Sequence, residues 1–351
     1  AIYIQTGVTA RSHSAAELVS PRAHAPALLM PHRTASVGAE SPLEGLIEEG
    51  ARQSVVGGKV LLRVRLACDE VAALTEPAPV FLLAPRLAYL PCFFTDLHEH
   101  FKPYLASLKG ESHEVWFDFN GTPIKWHYPV GVLCDVLFGT EVPSPVDLTL
   151  HFRGCPSSKE LIPFTGIADF KNAVLSACRQ AVFLQQGDAK AWMRLPMQQQ
   201  QKLWDAIKST DIATTAELQK QLLCPTLGKC KSFAVRVHLS GLTEQHAVLL
   251  HPAAALHESL PDKGGAGKRP ATVLDFLRQA LPPLLDQGAE RLAAGVEVLT
   301  QGVHLPLDTP LYWLALNAAY LDHFVHLVVR ALPPEALRNI GQSGVESLRG
   351  Y

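Results

Sequence analysis

From Gly57 onward the chain is written in short blocks of alternating apolar and polar positions. In "GGKVLLRVRLACDEV", Val60, Leu62, Val64 and Leu66 occupy every second residue, the period of a strand with one buried face. "PVFLLAPRLAYL" is a second apolar run, interrupted by Pro85, and "TDLHEHFKPYLASL" has the spacing of a short amphipathic helix. In "EVWFDFNGTPIKWHYPVGVLCDVL", Val115, Phe117 and Phe119 alternate with Trp116 and Asp118. Asn120-Gly121 then predicts a hairpin turn, because both central residues of that turn need positive φ. "TPIKW" is the returning strand. Pro129 opens a helix with Val132, Leu133, Val136 and Leu137 at helical spacing. "VDLTLHF" closes the unit. The order over 58–154 is strand, strand, helix, strand, strand, helix, strand. A small sheet with a helix on one face suits this order. A ubiquitin-like β-grasp is one such fold, and other α+β sandwiches satisfy the same periodicity.

Residues 155–228 change texture. "GIADFKNAVLSACRQAVFLQQ", "QQQQKLWDAIKS" and "TTAELQKQLL" predict three helices, the last capped by Thr214 or Thr215. Over 229–331 the first texture returns: "KSFAVRVHL" and "HAVLLH" as strands, "TVLDFLRQAL" as a helix, and "HFVHLVV" as a closing strand. Both modules contain Thr-Pro with a tryptophan three residues on, at "TPIKW" and "TPLYW", which pairs Trp126 with Trp313. The chain thus reads as α+β, two related modules flanking a helix-rich domain. "PDKGGAGKRPA", 261–271, reads as a flexible insertion. Residues 1–57, rich in Ala, Ser, Pro and His, read as a disordered or low-complexity extension, with a transit peptide as the other reading. Residues 332–351 form a tail.

Composition narrows the function classes. The 351 residues carry 48% hydrophobic and 18% charged side chains, enough for two or three cores. A formal net charge of -2 gives no general pull toward nucleic acid or an anionic membrane. Seven scattered cysteines, an odd number, suggest reduced thiols in a reducing compartment. No uncharged, proline-free apolar run reaches the roughly 18 residues of a membrane span.

Candidate chemistry is sparse. "GGAGKR" lacks the first glycine and the Ser/Thr of a phosphate loop. Cys224, Cys230, His238 and His251 lack the paired spacing of a zinc site. Cys134 stands beside Asp135 and near His127, and Cys178 directly precedes Arg179, so both are candidate thiol nucleophiles. Cys134, however, falls among the apolar positions of its helix. "GQSGV" lacks the spacing of a serine nucleophile elbow, and His98-Glu99-His100 lacks a zinc-protease pattern. No cofactor motif and no metal motif emerges.

"EVWFDFNGTPIKWHYPVGVLCDVL", "FLLAPRLAYLP" and "LPLDTPLYWLALNAAYLDHFVHLVV" together resemble the autophagy protein 5 family, in the right order from about residue 58 to 331. The resemblance implies two ubiquitin-like domains around a helix-rich one. It implies a noncatalytic scaffold joined by an isopeptide bond to autophagy protein 12. The scaffold also holds the N-terminal helix of autophagy protein 16 in a groove between its domains and activates autophagy protein 3. That assembly transfers autophagy protein 8 to phosphatidylethanolamine at the isolation membrane, so a cytoplasmic chain recruited peripherally is implied. Arg86 matches a family arginine associated with the autophagy protein 16 surface, with a structural salt bridge as the equal alternative. Trp126 and Trp313 are candidates for partner contact or core, Trp126 reading mainly as structural. The family's acceptor lysine falls on Arg179. Guanidinium stays protonated and cannot attack a thioester. Three outcomes stay open: noncovalent holding of autophagy protein 12, use of Lys171 or Lys190 instead, or a local misalignment. The competing classes are a ubiquitin-like adaptor without ligase function and a thiol enzyme using Cys134 or Cys178.

Overall fold

The computed structural model describes residues 2–4, 42–105, 114–158, 161–240, 248–252, 260–261, 268–281 and 296–331. β1 (Ile2–Ile4) runs parallel to β3 (Val80–Pro85) at one edge of the first sheet. α1 (Glu49–Gly57) precedes β2 (Lys59–Leu66), whose Val60, Leu62, Val64 and Leu66 are all buried, as the alternation predicts. α2 (Phe94–Phe101) follows β3, then the hairpin of β4 (Trp116–Phe119) and β5 (Thr122–Ile124). Asn120 and Gly121 sit at φ of 50° and 79°, and Asp118 Oδ1 accepts from Gly121 N at 2.8 Å, so the turn is the expected one. α3 (Val130–Phe138) and β6 (Val146–His151) complete the unit.

The middle domain is four helices: α4 (Ile167–Gln186), α5 (Lys190–Arg194), α6 (Met197–Lys208) and α7 (Ile212–Lys220). α7 starts earlier than expected, because its cap is Asp211, whose Oδ1 accepts from Thr214 N at 3.0 Å. Hydrogen bonds from the Thr214 side chain and then its backbone N–H lower the Asp211 pKa. Neither Thr214 nor Thr215 caps it; the Thr215 hydroxyl donates back to Asp211 O inside the helix. The second module holds β7 (Ala234–Ser240), β8 (Val248–Pro252), the short pair β9 (Leu260–Pro261) and β10 (Lys268–Arg269), α8 (Val273–Ala280), β11 (Val296–Thr300), β12 (Val303–His304), α9 (Leu311–Asn317) and β13 (Val325–Ala331). The expected insertion at 261–271 is bracketed by the β9–β10 pair; residues 262–267 lie outside the described residues.

Sheet order decides the fold class. The first sheet runs β1-β3-β2-β6-β4-β5 and the second β12-β11-β13-β7-β8. In each, the module's first and last strands are central and parallel, β2 with β6 and β7 with β13. Each is a β-grasp, which removes the other α+β sandwiches. The match between the two Thr-Pro-x-x-Trp runs is not a structural one. Thr122-Pro123 lies on β5, whereas Pro310 caps α9. The structural counterpart of Pro310 is Pro129, which caps α3. Tyr89 bridges Pro129 as Thr272 bridges Pro310. Val130 N donates to Ala88 O at 2.8 Å as Leu311 N does to Ala271 O at 3.0 Å.

Residues 1–57 are not wholly an extension. α1 buries Ala51 and Val55 on one face, and that face gives the segment a reason to fold. Glu48 N donates to Asn317 Oδ1 at 2.7 Å and Arg52 Nε to Leu316 O at 2.9 Å, which pins α1 to the second module. Residues 5–41 and 332–351, with "GQSGV", lie outside the described residues. One apolar cluster runs from the first sheet through Phe170 and Trp204 of the bundle to Leu299, Tyr320 and Val328. Tyr89 meets Phe170 at 5.3 Å and Phe170 meets Trp204 at 5.1 Å between ring centroids.

Candidate functional site

A groove of about 430 Å³ opens where α1, the bundle and the second module meet. Its walls come from Val56 of α1, Ala213 and Ala216 of α7, Leu223, and Ala315 and Ala319 of the second module. Four of these are alanines, so a guest backbone can approach closely. Glu49, Arg52, Glu217 and Lys220 supply charges of both signs around the apolar floor. This composition suits an amphipathic helix laid along its length.

A second, shallower hollow lies on α4. Arg179, Gln180 and Ser176 line it with Phe183 and Met193, which are 50% and 74% exposed. Arg179 is exposed, opposite the buried stripe of Phe170, Val174, Ala177 and Ala181. Among the described residues it has no hydrogen-bond or ion-pair partner. Lys190 is exposed beside Ala189, a lining residue, and its Nζ is 3.2 Å from Asp188 Oδ2. Lys171 is turned to α6, where Nζ donates to Gln201 Oε1 at 2.7 Å and lies 5.9 Å from the Trp204 ring.

Between groove and hollow the closing signature, Asp322 to His326, forms a buried polar knot. Asp322 accepts from Arg236 Nη1 at 2.8 Å, from Phe324 N at 3.1 Å and faces His326 Nε2 at 3.1 Å. His326 Nδ1 is 2.9 Å from His238 Nε2. Burial raises the Asp322 pKa, and the nearby His326 and Arg236 outweigh it and pull the carboxyl to about 2. The Arg236 guanidinium lies 3.8 Å over the Phe324 ring.

Three family models match the chain: the UblA domain of autophagy protein ATG5 over residues 55–152, its alpha-helical bundle region over 167–224 and its UblB domain over 232–329. The chain belongs to the autophagy protein 5 family. Family relatives include autophagy protein 5 of Penicillium rubens, 26% identical over 319 residues, covering 83% of this chain and 100% of the relative. The Arabidopsis thaliana protein is 32% identical over 191 residues, 54% of this chain and 55% of the relative. In fold the chain is similar to the crystal structure of Kluyveromyces marxianus Atg5, with a TM-score of 0.64, 22% identity, and coverage of 80% of this chain and 99% of that one. Membership gives the chain a role in autophagy and two ubiquitin-like domains around a helical bundle.

The family residues expected at partner surfaces are placed differently. Arg86 is 3% exposed and pairs with Asp135 of α3, so it is a buried structural residue. Its Nη2 also donates to Gly131 O at 3.1 Å, and Gly302 N of the second module donates to Asp135 Oδ2 at 3.0 Å. The pair therefore locks the first module to the second. The adjacent Leu87 lines the groove instead. Trp126, 2% exposed, donates Nε1 to Ile162 O at 2.7 Å and packs on Phe164. Trp313, 1% exposed, sits in the second core. Neither tryptophan reaches a surface, since each fills its own module's interior. The groove residues of α1 were missed because they precede the resemblance. Their signal was Ala51, Val55 and Val56 at helical spacing ahead of Gly57-Gly58.

The candidate nucleophiles are also corrected by burial. Cys178 is fully buried, and its thiol points at Leu321 O at 3.6 Å. Burial pushes it far above an ordinary thiol, and pushes Cys134 up to about 12. In the native chain, iodoacetamide is expected to label exposed Cys68 first, and Cys134 and Cys178 only on unfolding. Peptide mapping of a labelling time course checks this; early labelling at Cys134 would revive the thiol-enzyme reading. Among the described residues, no three His, Cys, Asp or Glu side chains gather as a metal site, and no helix is long and apolar enough to cross a membrane.

Proposed function

We propose that the chain is the noncatalytic scaffold of a ligase-like complex with autophagy proteins 12 and 16. The complex activates autophagy protein 3 and so promotes transfer of autophagy protein 8 to phosphatidylethanolamine. The observation that carries this reading is the alanine-floored groove shared by α1, α7 and the second module. It is the place for the amphipathic N-terminal helix of autophagy protein 16. The chain acts in the cytoplasm and reaches the isolation membrane through its partners. Titration of that helix into the full chain, followed by calorimetry, is the test. Ala216→Trp fills the floor and is expected to weaken binding about tenfold or more, with the thermal midpoint unchanged. Equal binding by both proteins would remove the groove from the proposal.

Autophagy protein 12 is held without a covalent bond, on the hollow around Arg179, Phe183 and Met193. Exposed apolar side chains next to a guanidinium that has no partner among the described residues favour this surface. Of the two alternative acceptors, Lys190 is the more open, since Lys171 is engaged with Gln201. On a denaturing gel of the endogenous protein the expected result is one band at the unconjugated mass. A band heavier by one ubiquitin-like protein would defeat noncovalent holding, and mass spectrometry would name the lysine. Reconstituted lipidation that the complex fails to accelerate would leave the plain adaptor reading.

A further inference from the structure

The seven cysteines differ in what their sulfurs face. Cys92 and Cys178 point at backbone carbonyls, at 3.9 Å from Ile207 O and 3.6 Å from Leu321 O. Cys224 Sγ also faces backbone carbonyls, Gln185 O at 3.8 Å and Lys229 O at 3.7 Å, as Cys230 Sγ faces Thr226 O at 3.9 Å. Both sulfurs lie within one turn, however, and these two cysteines alone, among the described residues, are also hydrogen-bonded to each other. The turn between them is tight. A 3-10 segment spans Leu227–Lys229, closed by Lys229 N to Thr226 O and Cys230 N to Leu227 O, both 3.1 Å. It folds the six-residue separation back on itself and brings the two thiols together.

The pair sits where the bundle passes the chain to the second module. Lys231 N donates to Gln185 O at 2.7 Å and Ser232 Oγ to Leu184 O at 2.5 Å, tying the junction to the end of α4. Leu223 and Phe233, just outside the pair on either side, line the groove. The sulfurs are buried, yet Gly228 and Lys229 in the turn are exposed, and hydrogen peroxide is scarcely larger than water. The hydrogen bond from Cys230 favours the Cys224 thiolate and lowers its pKa, while the Cys230 thiol is raised. Cys224 is thereby the attacking sulfur and Cys230 the resolving one.

We propose that Cys224 and Cys230 are an oxidative modification site, converted by a peroxide to a disulfide that closes the junction turn and reopened by a small thiol. The Cys224 thiolate attacks the peroxide, so an S–O bond forms, the O–O bond breaks and an alcohol or water leaves with the proton. Cys224 is oxidised by two electrons to a sulfenic acid, and the peroxide is reduced. Cys230 then attacks that sulfur. The S–S bond forms, the S–O bond breaks and water leaves. Two equivalents of a small thiol reverse the change and leave as their own disulfide. The site does not depend on the scaffold reading and would stand if that reading failed.

The test uses the full native chain, treated with hydrogen peroxide, quenched with catalase, blocked with N-ethylmaleimide and digested with trypsin without reduction. Trypsin cuts after Lys220, Lys229 and Lys231, so the disulfide would join peptide 221–229 to dipeptide 230–231. The expected result is that this joined species, two hydrogen masses below the sum, becomes the main form of both cysteines. Dithiothreitol should return both free peptides. In Cys230→Ser the same treatment should leave Cys224 as a sulfenic acid that dimedone traps. Recovery of both cysteines as maleimide adducts, or linkage that forms only in urea, overturns the proposal. So does linkage of Cys224 to a different cysteine.

Discussion

Asp135→Ala is expected to lower unfolding stability by about 3–5 kcal/mol, the cost of leaving a buried partner charge alone. Asp135 is fully buried and holds two things at once: the Arg86 guanidinium and the backbone N–H of Gly302. Without it, Arg86 keeps its charge in the interior, and Arg86 Nε already lacks an acceptor among the described residues. The loss falls on the contact between modules. A single cooperative thermal transition is therefore expected to split in two. The double variant Arg86→Leu, Asp135→Leu removes both charges and is expected to recover most of the loss, because an apolar pair of similar volume is often as stable as a buried ion pair. Denaturation with urea and calorimetry measure both effects. An Asp135→Ala loss below about 1 kcal/mol would show that the pair does not join the modules.

Acid is expected to destabilise the chain below pH 6.5, well above the range in which carboxylates titrate. Burial holds His127 and His323 at about 4, and holds His238 and His326 below their ordinary value. Between pH 6.5 and 4 the unfolded chain binds protons at His127 and His323 and the folded chain does not, and the lowered His238 and His326 act in the same direction. Stability from them is thus present above the unfolded value and lost as pH falls through that window. For His127 and His323 alone, going from pH 7 to 5 should cost on the order of 3 kcal/mol, after allowance for partial exposure. Asp322 acts in a lower window. Its stabilisation is present above the ordinary carboxylate value and is lost as pH falls toward about 2. His127 Nδ1 and His323 Nε2 make no hydrogen bond among the described residues, so replacing either sacrifices little. His323 also has φ of 66°, a conformation that asparagine tolerates. The slope of stability against pH is expected to be shallower in His323→Asn than in the parent. Identical slopes would place the acid sensitivity elsewhere.

Local pattern carried the strands, because a half-buried sheet writes its geometry into every second residue. The β2 alternation, the Asn120-Gly121 turn and the proline before α3 are all read from neighbouring residues. One open choice and one misreading share a cause: a pattern match does not report which neighbour will bury it. Arg86 reads equally as an interface residue or a salt-bridge partner until Gly302, more than two hundred positions away, closes over it. The two Thr-Pro-x-x-Trp runs match letter for letter, yet one proline lies in a strand and the other caps a helix. The cap of α7 was missed for a smaller reason, since Asp211 competes with two threonines that also favour that role. The position of Arg179 was legible because a 3.6-residue stripe predicts its own opposite face. The groove was not, since no segment contains more than a fraction of its wall.

That division of the wall has a consequence for synthesis. The groove takes residues from α1, from the bundle and from as far along as His323. The groove therefore has no complete wall until nearly the whole described sequence has been made and its three units have docked. On the proposed function, partner binding at this groove follows assembly of all three units. A copy cut before His323 lacks part of that wall and is therefore expected to bind the proposed helix far more weakly than the full chain.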